Sequence, residues 1–314
     1  MVGQALAIRL KVKFLSLRRH IPSEVRNIPV GLLFALPWIL GFLGFVVYPM
    51  AASFYYSFTF YPILGHPQWT GLENYRLLFN DRLFKTATYN TAYFAFLSVP
   101  TGLVLALILA LAMNREIVAR PLYRTIFYLP TLMPAVANAI LWLYLLNSQY
   151  GLINIALRAL GLPTIPFLSS IKWSKPALIF MSWWGVGGTM VILLAALQDV
   201  PQSLYDAAAI DGAGGWRKFW HITLPMISPA MFFLLVTGLI GAFQTFTASY
   251  IMTAGGPADS TLMYALYTYR VAFERMNMGY ACSLAWILLV ITGALTVLMF
   301  RLSGRWVFYA GGAK

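Results

Sequence analysis

The sequence predicts an all-α membrane protein with six transmembrane helices, and three observations carry that reading. Hydrophobic residues make up 60% of the 314 and charged residues only 10%, with a mean hydropathy of +0.73; in soluble proteins charged residues alone are about a quarter. Apolar stretches at about 30–50, 86–113, 123–146, 177–198, 226–251 and 281–301 reach the roughly 20 residues that cross a bilayer as a helix. Lysine and arginine are also shared unevenly between the segments that join them. The net charge of +13 does not point to nucleic acid, because the basic residues are scattered between apolar spans and form no groove-sized cluster. A topology signal and contact with anionic membrane lipid account for them.

Residues 1–28 form a basic segment, with Arg9, Lys11, Lys13, Arg18, Arg19 and Arg26 against Glu24, and Ile8 to Leu17 could lie along a membrane surface. The stretch that follows is too long for a signal-peptide core and lacks a small-residue cleavage site, so it reads as an uncleaved span. Residues 29–314 are then one six-span domain. Pro37 with Gly41, Pro100, Pro130 with Pro134, Gly185 to Gly188, and Pro229 with Gly238 and Gly241 fall inside spans. Such residues are tolerated where neighbouring helices or a cavity satisfy the freed backbone groups, so kinked helices around a passage are expected. Six spans put both termini on one side. With the N-terminus cytoplasmic, 14 Lys and Arg fall inside and 8 outside, the bias that the positive-inside rule requires. The three longer segments, about 51–85, 147–176 and 252–280, are then external and rich in turn residues and aromatics.

One polar segment stands out on the cytoplasmic side, the loop 199–225. Ser203 with Asp206 three residues later reads as a capping box, and Ala207 to Ala209 carry a helix from it. Gly212, followed by Gly214 and Gly215, supplies the left-handed backbone that stops a helix. The element is about two turns long, on the order of 12 Å, too short to stand alone in water. It must lean on something in this chain or in another.

Asp206-Ala207-Ala208, then Gly212, then Ile222-x-Leu224-Pro225 resemble the EAA signature of ABC importer permeases. Asp211-Gly212-Ala213, Phe219 and Pro229 are similar to the carbohydrate-type branch, which includes the maltose and glycerol-phosphate permeases. Thr253-x-Gly255-Gly256-Pro257 and Gly279-Tyr280-Ala281 resemble that branch too. The resemblance implies the type I ABC importer permease fold and makes the Asp206 helix a coupling helix seated in a cleft of a separate ATPase. Asp206, Ala207, Ala208, Asp211, Gly212, Ile222, Leu224 and Pro225 would carry that role. One departure is Asp206, where the family usually has Glu; the shorter side chain keeps the charge and shortens the reach. The implied partners are a second homologous six-span permease, two cytoplasmic ATPase subunits, an extracytoplasmic solute-binding protein and a sugar, with the bacterial cytoplasmic (inner) membrane as the address.

The chain has no G-x-x-x-x-G-K-[ST] loop, so ATP and Mg²⁺ belong to the partner ATPases and no cofactor is expected here. His20, His66 and His221 are far apart and Cys282 is the single cysteine, which leaves no metal site and no catalytic constellation. All nine acids fall in loops or at span ends, which weighs against a proton-coupled transporter. The membrane interior does carry neutral donors, acceptors and rings at matching depth. Trp184, Gly185 and Gly188 in the fourth span, and Gln244, Thr245 and Tyr250 in the fifth, suit a sugar, which presents hydroxyls on its rim and C–H groups on its faces. Helix packing explains each of them equally well; Asn138 and Trp142 are weaker candidates. The chain thus reads as a transport subunit, not an enzyme, that couples ATP hydrolysis in its partners to alternating access for a sugar or oligosaccharide. The alternative is a secondary transporter or channel that needs no ATP.

Overall fold

The computed structural model describes residues 28–116, 118–304 and 306–308, so the basic segment expected at 1–28 lies, Ile28 apart, outside the described residues. The chain divides into two compact units, Met1–Tyr55 and Tyr56–Lys314. In the first, α1 (Ile28–Phe42) carries Pro37 and passes through a π-helical turn at Leu43–Val47 into α2 (Tyr48–Ser57), whose last two residues belong to the second unit. The run Leu33–Ser57 is 25 residues, long and apolar enough to cross a membrane.

The second unit opens with a hairpin of β1 (Thr59–Phe60) and β2 (Gln68–Trp69), paired antiparallel with Thr59 opposite Trp69. There follow α3 (Glu73–Asn80) and α4 (Arg82–Asn114), a 33-residue helix that runs unbroken through Pro100. Asp81 starts α4, its carboxylate accepting from the Leu83 N–H at 2.8 Å. Next come α5 (Arg120–Tyr128), α6 (Ala135–Leu145), α7 (Leu152–Ala159), α8 (Ile171–Trp183) and α9 (Gly187–Gln198). The chain ends with α10 (Gln202–Ile210), α11 (Gly215–Lys218), α12 (Leu224–Phe243), α13 (Thr247–Thr253), α14 (Tyr264–Tyr269) and α15 (Met278–Ser303).

Packing centres on α4, which lies against α8, α9, α12 and α14. Gly102, Ala106 and Ala110 repeat every fourth residue along it and are buried. Small residues at that spacing let helix backbones approach closely, which compensates for the weak hydrophobic drive between helices in lipid. Onto this stripe pack Met190, Leu193, Leu194 and Leu197 of α9 and Ile227 of α12, forming a core at the α10 end. A second core at the hairpin end gathers Phe94, Trp142, Leu178, Phe243, Met263, Tyr264, Tyr267 and Leu284.

Six straight spans are not what the chain forms. Among the described residues four helical runs are long and apolar enough to cross a membrane, and two bent pairs make up to six if each is one span. The pair expected at 177–198 bends by 48° between Trp183 and Gly187, where the Gly185 to Gly188 cluster predicted a kink. The stretch expected at 123–146 breaks far more sharply, by 100°. Residues preceding a proline are pushed out of the helical region; Met133 sits at ψ 133° before Pro134, and a 3₁₀ turn at Leu129–Leu132 contains Pro130. The fifth span, expected at 226–251, ends at Phe243: Gln244 caps it, its N–H donating to Gly241 O at 3.1 Å, and helix resumes only at Thr247. At its other end it begins earlier than expected, continuing back from Leu224 through a π turn at Phe219–Thr223 to Gly215. Pro225 is therefore inside a helical run. The widened turn just before it accommodates the i−4 carbonyl that its ring would otherwise meet.

Candidate functional site

The loop 199–225 presents its short helix to the outside. Pro201 at φ −59° and ψ 127° occupies the position before α10, so the helix starts at Gln202 and Ser203 lies within its first turn. The capping box is thereby corrected: no side chain caps this end, and Asp206 instead accepts from Gln202 Nε2 at 3.1 Å, one turn back. Proline wins the boundary because its fixed φ and missing N–H suit the start of a helix. The other end is as expected. Gly212 has φ +73°, its N–H donates to Ala209 O at 3.0 Å, and the Ala213 N–H donates to Ala208 O at 2.8 Å. These two bonds are the reverse-turn closure of a Schellman motif.

No residue of the nine in α10 is buried. Tyr205 anchors it, half-buried against the core and bonded through its hydroxyl to Thr223 Oγ1 at 2.9 Å. Ile222 and Leu224 also pack on that core, so they hold the base of the segment. Asp206, Ala207, Asp211 and Gly212 face outward, and Ile210 is 89% exposed. The structure thus separates six of the eight residues grouped by sequence into an anchoring set and a presented set, with Ala208 and Pro225 half-buried between them. A nine-residue helix that buries none of its residues is marginal by itself.

The membrane-depth candidates separate as well. A cavity of about 280 Å³ opens between α4, the α8–α9 bend and α12, lined among others by Ser98, Gly102, Ser182, Gly185, Thr189 and Thr245. It brings Gly185 and Thr245 together. Trp184 turns away to meet Trp142 edge-on at 6.0 Å. Gly188 packs toward the 3₁₀ turn Leu129–Leu132, its N–H donating to Thr131 Oγ1 at 3.2 Å. Gln244 is an exposed helix cap, and Tyr250 stacks on Phe246 at 5.2 Å with Tyr269 at 5.6 Å. Ser98 and Ser182 were missed as candidates. Ser98 stands four residues before Gly102, on the small-residue stripe, which is the one signal that could have found it.

At the hairpin end polar groups tie the loops to the helices. Asn90 donates to the carbonyls of Asp259 at 2.7 Å and Leu262 at 3.1 Å, and accepts from Lys175 at 3.0 Å. Asp81 accepts from the Tyr267 hydroxyl and from Tyr280 at 2.7 Å. Burial alone would raise the Asp81 pKa, but the hydrogen bonds from Tyr267, Tyr280 and the backbone outweigh it and hold the carboxyl below its ordinary value. The Tyr267 hydroxyl, buried and bonded to that carboxylate, is pushed up to about 12.

Comparison with known proteins places the chain. Residues 102–308 match the family described as "Binding-protein-dependent transport system inner membrane component". The probable ABC transporter permease protein YesP of Bacillus subtilis (strain 168) is 39% identical over 289 residues, which is 89% of this chain and 92% of that protein. The sn-glycerol-3-phosphate transport system permease protein UgpA of Pectobacterium atrosepticum is 36% identical, covering 87% of this chain and 94% of that one. Among solved structures, a chain of a bacterial ABC transporter involved in the import of the acidic polysaccharide alginate superposes with a TM-score of 0.78 at 27% identity, over 89% of this chain and 96% of that chain. This chain belongs to the family of binding-protein-dependent transport system inner membrane components, the multi-pass permeases of ABC importers.

Proposed function

We propose that this chain is one permease subunit of an ATP-driven importer for a sugar or oligosaccharide, working by alternating access. The observation that carries the reading is α10, a helix that buries none of its residues yet is closed by Gly212 and anchored through Tyr205. Such a helix suits a cleft on an ATPase subunit. Movement of that ATPase would pass from α10 through Tyr205, Thr223 and the helical run Gly215–Phe243 to the cavity bordered by Gly185 and Thr245. ATP shifts the permease between states only by as much as its binding to the ATPases differs between them.

A second homologous permease, two ATPase subunits and an extracytoplasmic binding protein complete the assembly. Both termini and α10 are cytoplasmic in this reading, supported by the lysine and arginine distribution. The saccharide assignment draws on relatives named for sulfoquinovosyl glycerol and alginate, and on a cavity with hydroxyls and no charge. The test is purification of the tagged chain in mild detergent with identification of what accompanies it, followed by ATPase assay with the binding protein and saccharides. Co-purification of an ATPase and a second permease, with hydrolysis stimulated by the loaded binding protein, is the expected result. A stable chain without partners overturns the proposal.

A further inference from the structure

At the α10 end two arginines meet around one neutral side chain. Arg120 and Arg124, one turn apart on α5, converge on the Gln198 side-chain amide at the end of α9; with that amide turned so that its oxygen faces them, it accepts from a terminal nitrogen of each at 3.1 Å. The Nε atoms of both guanidinium groups are buried and have no hydrogen-bond partner. Among the described residues no carboxylate lies within 4.0 Å of either, and the one ion pair is Arg270 with Glu274. Arg120 opens α5 and Arg124 lies one turn further along it. A like-charge pair that shares one neutral oxygen is incomplete. Two guanidinium forks converging on one point match the geometry of a phosphate.

The surroundings say which phosphate. On α5, Leu122, Ile126 and Leu129 just beyond its end are 58%, 53% and 59% exposed, an apolar face in a chain of membrane helices, suited to acyl chains. We propose that Arg120, Arg124 and Gln198 form a binding site for the phosphodiester of an anionic phospholipid of the cytoplasmic leaflet. The inference rests on the orientation given under Proposed function. It also deepens that reading: Gln198 lies four residues before the start of α10, so a bound headgroup would brace the root of the coupling segment against α5 and tune its response to the ATPases.

The experiment uses the assembled transporter in nanodiscs of phosphatidylcholine with increasing phosphatidylglycerol, with retained lipid counted by native mass spectrometry. Wild-type protein is expected to keep one phosphatidylglycerol per chain under activation that strips phosphatidylcholine. The R120Q/R124Q variant should bind it about 30-fold more weakly, from roughly 1 kcal/mol per basic residue at the membrane surface, and R120K/R124K should be intermediate. Equal retention by wild type and R120Q/R124Q overturns the proposal. Loss of ATPase subunits from the variant with lipid retention unchanged also overturns it, by giving the arginines to a protein carboxylate. Equal protection by inorganic phosphate in phosphatidylcholine discs overturns the lipid as occupant. If R120Q/R124Q fails to assemble, the wild-type titration decides: retention that does not saturate at one per chain sinks the site. Lipid retention is read without substrate or ATP, so its failure is distinct from failure of binding-protein-stimulated hydrolysis.

Discussion

Replacing Gly212 with valine tests how α10 works. Gly212 sits at φ +73° with no atom within 4 Å of where a Cβ would stand, so steric contact contributes nothing and the penalty is purely conformational. An L-residue in the left-handed region loses about 1–2 kcal/mol, and a β-branched one falls at the upper end. That penalty acts on a nine-residue helix that buries no side chain completely and is marginal by itself. It shifts the equilibrium between the closed and frayed helix end by roughly 5- to 30-fold. Binding-protein-stimulated ATPase activity of the purified assembly should fall by a similar factor, while basal membrane insertion and the thermal midpoint of the permease stay close to wild type. Gly212→Asn should recover most of the coupling, since asparagine tolerates this backbone. Normal stimulation in Gly212→Val, or equal loss in Val and Asn, would refute the reasoning.

Other substitutions separate packing from function. Gly187→Ala places a Cβ 2.1 Å from the Phe127 carbonyl oxygen, so α9 must move off α5; a loss near 3 kcal/mol and a midpoint lower by roughly 6–12 °C are expected in thermal unfolding, against little change for Gly185→Ala, whose nearest neighbour is 3.7 Å away. Asp81→Asn replaces charge-assisted hydrogen bonds by neutral ones and should cost about 1–2 kcal/mol at pH 7. Because the folded Asp81 pKa is lowered, its contribution is full above the ordinary carboxylate value of about 3.9 and is lost as pH falls through the folded value. Wild type and Asn variant should therefore differ by a constant amount from pH 8 to 5 and converge in more acid solution; a gap that widens in acid counts against the bonding scheme. Thr245→Val removes one hydroxyl from the cavity without changing its size, and a transport KM raised about fivefold, the worth of one neutral hydrogen bond, with the maximal rate kept, is expected if Thr245 meets the substrate.

What was legible in the sequence was what depends on a residue and its near neighbours along the chain. Composition and stretch length specify a membrane solvent and helices, because a backbone in hydrocarbon must satisfy its own hydrogen bonds. The stop at Gly212 and the bend at Gly185 to Gly188 are local backbone properties of glycine, and both stand in the structure. Ser203 misled because a cap pattern is two-sided: Pro201 offered a competing helix start, and the nearer rule lost. The end of α12 at Phe243 was invisible to hydropathy, which averages over a window and cannot see one capping turn at Gln244. Only tertiary structure decided that Gly185 and Thr245 share a cavity while Trp184 and Tyr250 pack elsewhere. It also joined Asp81 to Tyr267 and Tyr280, nearly 200 residues away, and set Arg120 and Arg124 against Gln198. Membrane composition and local stops follow from chemistry carried within a turn or a span, whereas a site is built from side chains whose meeting depends on how α4 packs its neighbours.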